Sequence, residues 1–363
     1  MNFSRDELYG LIWSRPSFAQ LEITKNCNQS CVFCFDGCSS GESYDDLSLD
    51  EWKRIIDKLR PLGVHTLHFS GGENFMFRGF AGLLKYAKQR GFFTHVNTNG
   101  TFSIKETLPY TDEYVFSVHG TREVHDAVTQ NTGSFDRIEK NIGLANEYGV
   151  RADINSVLIR ENAGCMAEMF RYFEDRFKIE KYSFTLAARS LTGKQFEQHE
   201  LELDGDTYEW YTSLLDTVGR DRLTLKHGMY ALYDYDIEAE PKSILYMPVC
   251  AAGKDKIIVK HDGSVYPCNY FQSDEYFCGN ILTGDVFEIW NNGRGYRPFR
   301  KLILDDSIDP KCGGCSKKPK CFGGCRVWTK SFVERGEFSG ERDFRCALGN
   351  AFAGDRDNVQ VQP

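Results

Sequence analysis

Six apolar, β-rich runs recur between residues 18 and 186, at 18–24, 64–69, 92–97, 113–118, 152–158 and 182–186. Helical patterns fill the intervals at 49–59, 80–88, 135–148 and 167–177. This alternation predicts an α/β fold in which parallel strands are joined by crossover helices. The helix at 49–59 opens after Ser48, an N-cap residue type, and sets Trp52, Ile55, Ile56 and Leu59 on one face. With 363 residues, 41% hydrophobic and 14% aromatic, the chain can bury a β/α barrel and a smaller second module. Residues 201–247 are rich in acidic and aromatic residues with helical stretches, and are expected to bridge the two and help cover the substrate.

The first predicted strand runs directly into Cys27-Asn28-Gln29-Ser30-Cys31-Val32-Phe33-Cys34, a C-x3-C-x2-C spacing. Three thiolates on one short loop can hold three irons of a [4Fe–4S] cluster and leave the fourth iron open. The alternatives are half of a zinc site completed by Cys38 and reduced core thiols. No apolar run approaches the ~20 residues of a membrane span, and the N-terminus lacks the basic-then-apolar plan of a signal peptide. The chain therefore reads as cytoplasmic, without a membrane partner. Thirteen Cys in that setting point to metal ligands rather than disulfides. A net charge of −8 offers no bulk attraction to a phosphate backbone, which argues against nucleic acid as substrate.

Placed at the end of a first strand, the cysteine triad resembles that of the radical S-adenosylmethionine (SAM) superfamily. The resemblance implies a partial (βα)6 TIM-like barrel. In it, SAM chelates the open iron through its amino and carboxylate groups, and one electron cleaves it to a 5′-deoxyadenosyl radical that abstracts hydrogen. A second cysteine series runs from Cys250 through Gly263 and Cys268 to Cys312-x2-Cys315-x5-Cys321-x3-Cys325, and ends at Cys346. It resembles the SPASM domain, a small cysteine-rich module that carries auxiliary Fe–S clusters; paired zinc ribbons are the rival reading. The implied layout is a barrel at 1–200, a bridging region at 201–243, the SPASM domain at 244–350 and a tail at 351–363. The implied cofactors are SAM and three [4Fe–4S] clusters, one binding SAM and two auxiliary. The resemblance assigns Cys250, Cys268 and Cys325 to the inner auxiliary cluster and Cys312, Cys315, Cys321 and Cys346 to the outer one. For the inner cluster's fourth position, Cys278 and an open iron both remain candidates.

The same resemblance implies SAM contacts. Ser70-Gly71-Gly72-Glu73 follows the second strand and is similar to the family's GGE element, with Asn74 where Pro is common. Glycines there let backbone pass close to a ligand, and Glu73 is expected to accept from the SAM ammonium. Asn97 and Asn99 end the third strand, in an Asn-Gly turn context that is also a plain strand terminator. Ser117 matches a ribose-contacting position. His119 stands where relatives often carry Asp, and its candidate roles are proton transfer, ribose binding and packing. Asn155 on the fifth strand faces SAM in this reading, Arg189 meets the SAM carboxylate or an anionic substrate, and Phe33 lies beside the adenine. Cys38 and Cys165 could donate hydrogen atoms, although a free Cys is more often a small buried hydrophobe.

The function so implied is an oxidoreductase acting on a ribosomally synthesised precursor peptide, giving a cross-link or backbone excision in the maturation of a peptide natural product. An external donor such as flavodoxin or ferredoxin would supply electrons. The first strand is expected near residue 18, which leaves no room ahead of it for the peptide-recognition domain of many relatives. A separate small recognition protein would then deliver the peptide. The alternative is a dehydrogenase or epimerase of a sugar or aminocyclitol in natural-product biosynthesis.

Overall fold

The computed structural model describes residues 15–188, 190, 191, 214, 217, 218, 222–226, 250–304, 307–315, 318, 323–343 and 346. In chain order the first half comprises β1 (Phe18–Thr24), α1 (Leu49–Leu62), β2 (Thr66–Gly71), α2 (Phe80–Gln89), β3 (Phe93–Thr98), β4 (Glu113–Ser117), α3 (Arg122–Thr129), α4 (Ser134–Glu147) and β5 (Arg151–Leu158). Then follow α5 (Arg160–Ala163), α6 (Met166–Glu174), β6 (Tyr182–Leu186), β7 (Leu223–Lys226), β8 (Lys256–Val259), β9 (Ser264–Tyr266) and β10 (Gly279–Asn280). Among the described residues α7 (Val286–Asn292), α8 (Arg297–Leu304) and α9 (Lys330–Arg335) complete the helices used below.

All ten strands form one sheet in the order β10-β9-β8-β1-β2-β3-β4-β5-β6-β7. The six predicted strands are its parallel centre. The sheet extends past them at both edges: β7 adds parallel to β6, and β8 adds parallel to β1, with β9 and β10 antiparallel beyond it. β8 comes from the cysteine-rich region, so the second module is hydrogen-bonded into the edge of the first rather than tethered to it.

Local chemistry explains the boundaries. Ser48 and Glu51 form a reciprocal capping box at the start of α1, satisfying two orphan donors. Gly63 ends the helix in a left-handed conformation at φ 108°. The helix continues past the predicted Leu59, through Pro61, because Leu62 is fully buried in the core. Period-2 alternation in β1 puts Ala19, Leu21 and Ile23, all 0% exposed, under the helices. The opposite, inner face carries Gln20, Glu22 and Thr24. His68, His95 and Glu113 continue that polar face, with the two imidazoles 4.4 Å apart and His95 Nδ1 3.6 Å from Glu113. None of the described helices is long and apolar enough to cross a membrane.

Candidate active site

The C-terminal ends of β1 to β6 open into one cavity of about 170 Å³ that is continuous with solvent. Cys27, Cys31 and Cys34 line it together with Phe33, Gly71, Gly72, Asn97, Asn99, Ser117, His119 and Asn155. Sequence-predicted residues from four strand ends, β2 to β5, and the cysteine loop thus share one wall.

The cysteine loop is fixed by backbone hydrogen bonds to elements on either side. Ser30 N donates to Thr129 O at 3.1 Å and Val32 N to Val128 O at 3.0 Å, which ties the loop to the end of α3. Gly72 N donates to Thr24 O and Glu73 N to Asn26 O, both at 2.8 Å, which ties it to the end of β2. The two glycines are needed for that contact. A Cβ on Gly71, whose φ is +134°, would lie 2.2 Å from Thr24 O, and one on Gly72 would lie 2.3 Å from Asn26 O. Their close approach is therefore to the cysteine loop itself as well as to the cavity. Asn99 Nδ2 donates to Asn28 Oδ1 at 2.8 Å, so Asn99 also holds the loop.

Glu73 is 1% exposed and lies behind the cavity wall. Its Oε1 accepts from Thr98 Oγ1 and Phe75 N, and its Oε2 accepts from Asn99 N at 2.7 Å. Burial nevertheless pushes its pKa up to about 7, against the pull of those donors. Asn74, standing where Pro is common, donates through Nδ2 to Phe69 O and Asn97 O, linking β2 to the end of β3.

His119 is 4% exposed, and its ring meets Phe33 edge-on at 4.6 Å. Its Nδ1 accepts from Val157 N at 3.1 Å, which assigns the proton to Nε2. Burial, with neighbouring His125 second, holds its pKa well below the ordinary value. His119 is thus a neutral imidazole with an N–H donor on a cavity-lining side chain. Thr185 Oγ1 donates to Asn155 Oδ1 at 3.4 Å.

Cys38 also lines the cavity. Its Sγ lies 3.9 Å from Asp36 Oδ2, and it donates to Cys34, which holds the Cys34 thiol down and its own up. Cys165 does not line the cavity: its Sγ donates to Asn162 O at 3.2 Å, at the start of α6. Arg189 lies outside the described residues.

In the second module, electrostatic neighbours fall into two groups. Burial raises the Cys268 thiol to about 11, with Cys250 adding to the rise. Tyr270 is raised by burial and then by Cys268 and Cys325. Cys312 is raised by burial, Asp309, Cys346 and Cys315. Cys250, Cys268 and Cys325 thus share one neighbourhood, and Cys312, Cys315 and Cys346 another. Cys321 lies outside the described residues. Cys278 is 8% exposed, contacts Tyr276 O and packs against Gly293 and Gly295, with burial raising its thiol to about 12.

Two observations fit the cavity to a bound group. Three thiols, of Cys27, Cys31 and Cys34, share the wall of one cavity, the donor set that a polynuclear iron–sulfur centre uses. Two lining residues also carry buried, unpartnered polar atoms, Gln29 Nε2 and Asn97 Oδ1, and such orphans call for a ligand.

Sequence reasoning missed Gln29, Thr98, Thr185 and Tyr270 on this wall. Thr185 carried the same signal as Asn155, a polar residue at an inner-face strand end. Tyr270 carried none, because it comes from the second module; its ring packs 5.5 Å from Phe35.

The radical SAM superfamily model matches residues 21–173, and that of the SPASM iron-sulfur cluster-binding domain matches residues 250–316. A cysteine-type anaerobic sulfatase-maturating enzyme of Clostridium novyi is 26% identical over 331 residues, covering 84% of this chain and 86% of that protein. An AdoMet-dependent heme synthase of Nitratidesulfovibrio vulgaris is 25% identical over 325 residues, covering 84% and 86%. In fold, the chain is similar to Streptococcus suis SuiB bound to S-adenosylmethionine, with a TM-score of 0.74, 20% identity, and coverage of 92% of this chain and 77% of that one.

Proposed function

The chain belongs to the radical SAM superfamily and carries a C-terminal SPASM domain, and on that premise we propose that it oxidatively modifies a ribosomally made precursor peptide. The carrying observation is the shared wall: Tyr270, neighbour of Cys268 and Cys325, lines the same cavity as Cys27, Cys31 and Cys34. That arrangement supports a reaction in which substrate stands between the SAM site and the inner auxiliary site.

Cys27, Cys31 and Cys34 would hold the SAM-binding cluster. Cys250, Cys268 and Cys325 would hold the inner auxiliary cluster, and Cys312, Cys315, Cys321 and Cys346 the outer one. Together these groups would supply hydrogen-atom abstraction and a sink for the electron left behind, so that a substrate forming a new bond loses two hydrogens in all. The chain's own residues position and seal. Burial raises the Cys27 thiol to about 12, so iron binding there would release its proton to solvent as the thiolate takes the metal. Gly71, Gly72 and Asn99 fix the loop, while Asn97, Ser117 and Asn155 present polar groups to SAM. His119 offers a neutral Nε2–H donor to the ribose side and does not act as a base, because its Nδ1 is committed to Val157 N. Phe33 covers the adenine. Arg189 is proposed to meet an anionic group. An external flavodoxin or ferredoxin would supply electrons.

The peptide substrate is supported by the sulfatase-maturating relative, whose name places its target in a polypeptide. The heme synthase relative favours a second reading, a small-molecule oxidation. Anaerobic co-expression with the short reading frames beside the gene, followed by intact and fragment masses, separates the two. Loss of about two mass units that vanishes in Cys27→Ala supports peptide oxidation. Unchanged peptide mass, no solvent deuterium in the fragments and persistent SAM cleavage would sink it in favour of a small molecule.

A further inference from the structure

Outside the cavity, one buried ion cluster joins three parts of the chain that the reaction needs in register. Lys260 follows β8, Glu22 lies on β1, and Asp36 lies on the cysteine loop two residues after Cys34. Lys260 Nζ donates to Asp36 Oδ1 at 2.8 Å and to Glu22 Oε2. The side chains are 6%, 5% and 1% exposed. Pairing of Leu21 with Val259 sets Lys260 opposite Glu22. The lysine backbone is itself clamped: its N donates to Ser264 O and its O accepts from Gly263 N, both at 2.9 Å, closing the β8–β9 turn. The ammonium is therefore a fixed post of the second module that reaches across β1 to the cysteine loop. A neighbouring bond, Leu47 N to His261 O at 3.2 Å, holds a later part of the same loop to the same turn.

A buried ion group is weak evidence for stability, and its best-attested use is to fix register. Here only two elements need Glu22 and Lys260 to meet, and the β1–β8 ladder already sets them. The added partner, Asp36, belongs to neither strand. It precedes Gly37, whose N donates to Cys34 O at 3.2 Å and whose φ is 70°, so the turn that ends the cysteine run hangs on it.

We infer that Lys260 is a positioning residue for the SAM-binding cluster: through Asp36, the auxiliary module sets the conformation of the loop bearing Cys34. This rests on the reading that Cys27, Cys31 and Cys34 hold that cluster. Undocking the β8–β9 turn then loosens the SAM site, and the two modules are mechanically coupled.

The test uses anaerobically reconstituted full-length protein, reduced and examined by electron paramagnetic resonance with and without SAM, alongside iron content and circular dichroism. Lys260→Met and Asp36→Asn are expected to lose at least about tenfold of the SAM-dependent change in the cluster signal, while the auxiliary signals persist. Glu22→Gln, which leaves the Lys260–Asp36 contact, is expected to keep that change. A general packing role would instead make Glu22→Gln and Asp36→Asn alike, and that result overturns the inference. So does a wild-type SAM response in both Lys260→Met and Asp36→Asn. If Lys260→Met fails to fold, Asp36→Asn decides. If wild type and Cys27→Ala give the same spectra, the reading of the triad fails instead.

Discussion

The cysteine loop after β1 and the cysteines of the second module solve the same problem in opposite ways. Cys27, Cys31 and Cys34 sit on a loop bonded to the ends of β2 and α3 by backbone hydrogen bonds of 2.8–3.1 Å. Their surroundings also contain a fully buried carboxylate and two buried imidazoles. Cys312, Cys315 and Cys346 lie instead on single turns, with Cys312 N donating to Asp309 O, Cys315 N to Cys312 O and Cys346 N to Asp343 O, while Cys325 N donates to Asp343 Oδ2 at 3.2 Å. One site is built by the sheet before any metal arrives. The other combines local turns with a few bonds from residues 309, 323 and 325 to residues 340–343, and bound metal is expected to add order there. A strand-end site thus inherits its geometry from the core, whereas a turn-rich site obtains part of it from its ligand.

Iron removal should separate the two most strongly. Amide exchange on chelated protein is expected to lose roughly a thousandfold or more of its protection in the described turns between 307 and 346, while β1 to β6 keep theirs. Equal losses in both regions would break the comparison.

A prebuilt site also stores the cost of burying Glu73. Burial lifts its folded pKa to about 7, above the ordinary carboxylate value of about 4.5. Its contribution to stability is therefore full below about pH 4.5 and is lost as pH rises to about 7, roughly 3 kcal/mol in all. Glu73→Gln should flatten that slope in urea melts of the metal-free protein. An unchanged slope would mean that the carboxylate is better solvated than its burial indicates.

Glycines sharpen the contrast at the next scale. Gly72→Ala places a Cβ 2.3 Å from Asn26 O, whereas Gly314, between Cys312 and Cys315, has open space around its Cβ position. Gly72→Ala is expected to cost about 2 kcal/mol and to weaken iron retention at the first site. Gly314→Ala should stay within about 0.5 kcal/mol. At the cavity wall, His119→Phe removes one neutral donor and should weaken SAM binding by about 1 kcal/mol, close to fivefold in Kd. Since burial keeps His119 uncharged, SAM affinity in wild type should show no break from this residue near pH 6.5.

The same division explains what was legible in the sequence. The β1–β6 strands follow from apolar runs bounded by turn residues, and their ends carry Asn97, Ser117 and Asn155 at the inner-face positions that alternation assigns. β7 and β8 escaped that reading. Each has only four residues, too few for a period to register, and each is a strand because a long neighbour offers it an edge. The function of Gly71 and Gly72 was half visible: their type signals close approach, but only the fold shows that the cysteine loop is what approaches. Tyr270 and Lys260 were out of reach, because their importance lies in contacts across more than two hundred residues of chain, to Phe35 and Asp36.

The most direct test of the contrast between the two sites is anaerobic production of 5′-deoxyadenosine from SAM by wild type, Cys31→Ala and the double variant Cys312→Ala/Cys315→Ala. The account predicts no cleavage by Cys31→Ala and continued cleavage by the double variant, because the first site is held by the barrel and the β8–β9 turn and not by the outer auxiliary cysteines. Cleavage that survives Cys31→Ala, or that disappears with Cys312 and Cys315, would contradict it.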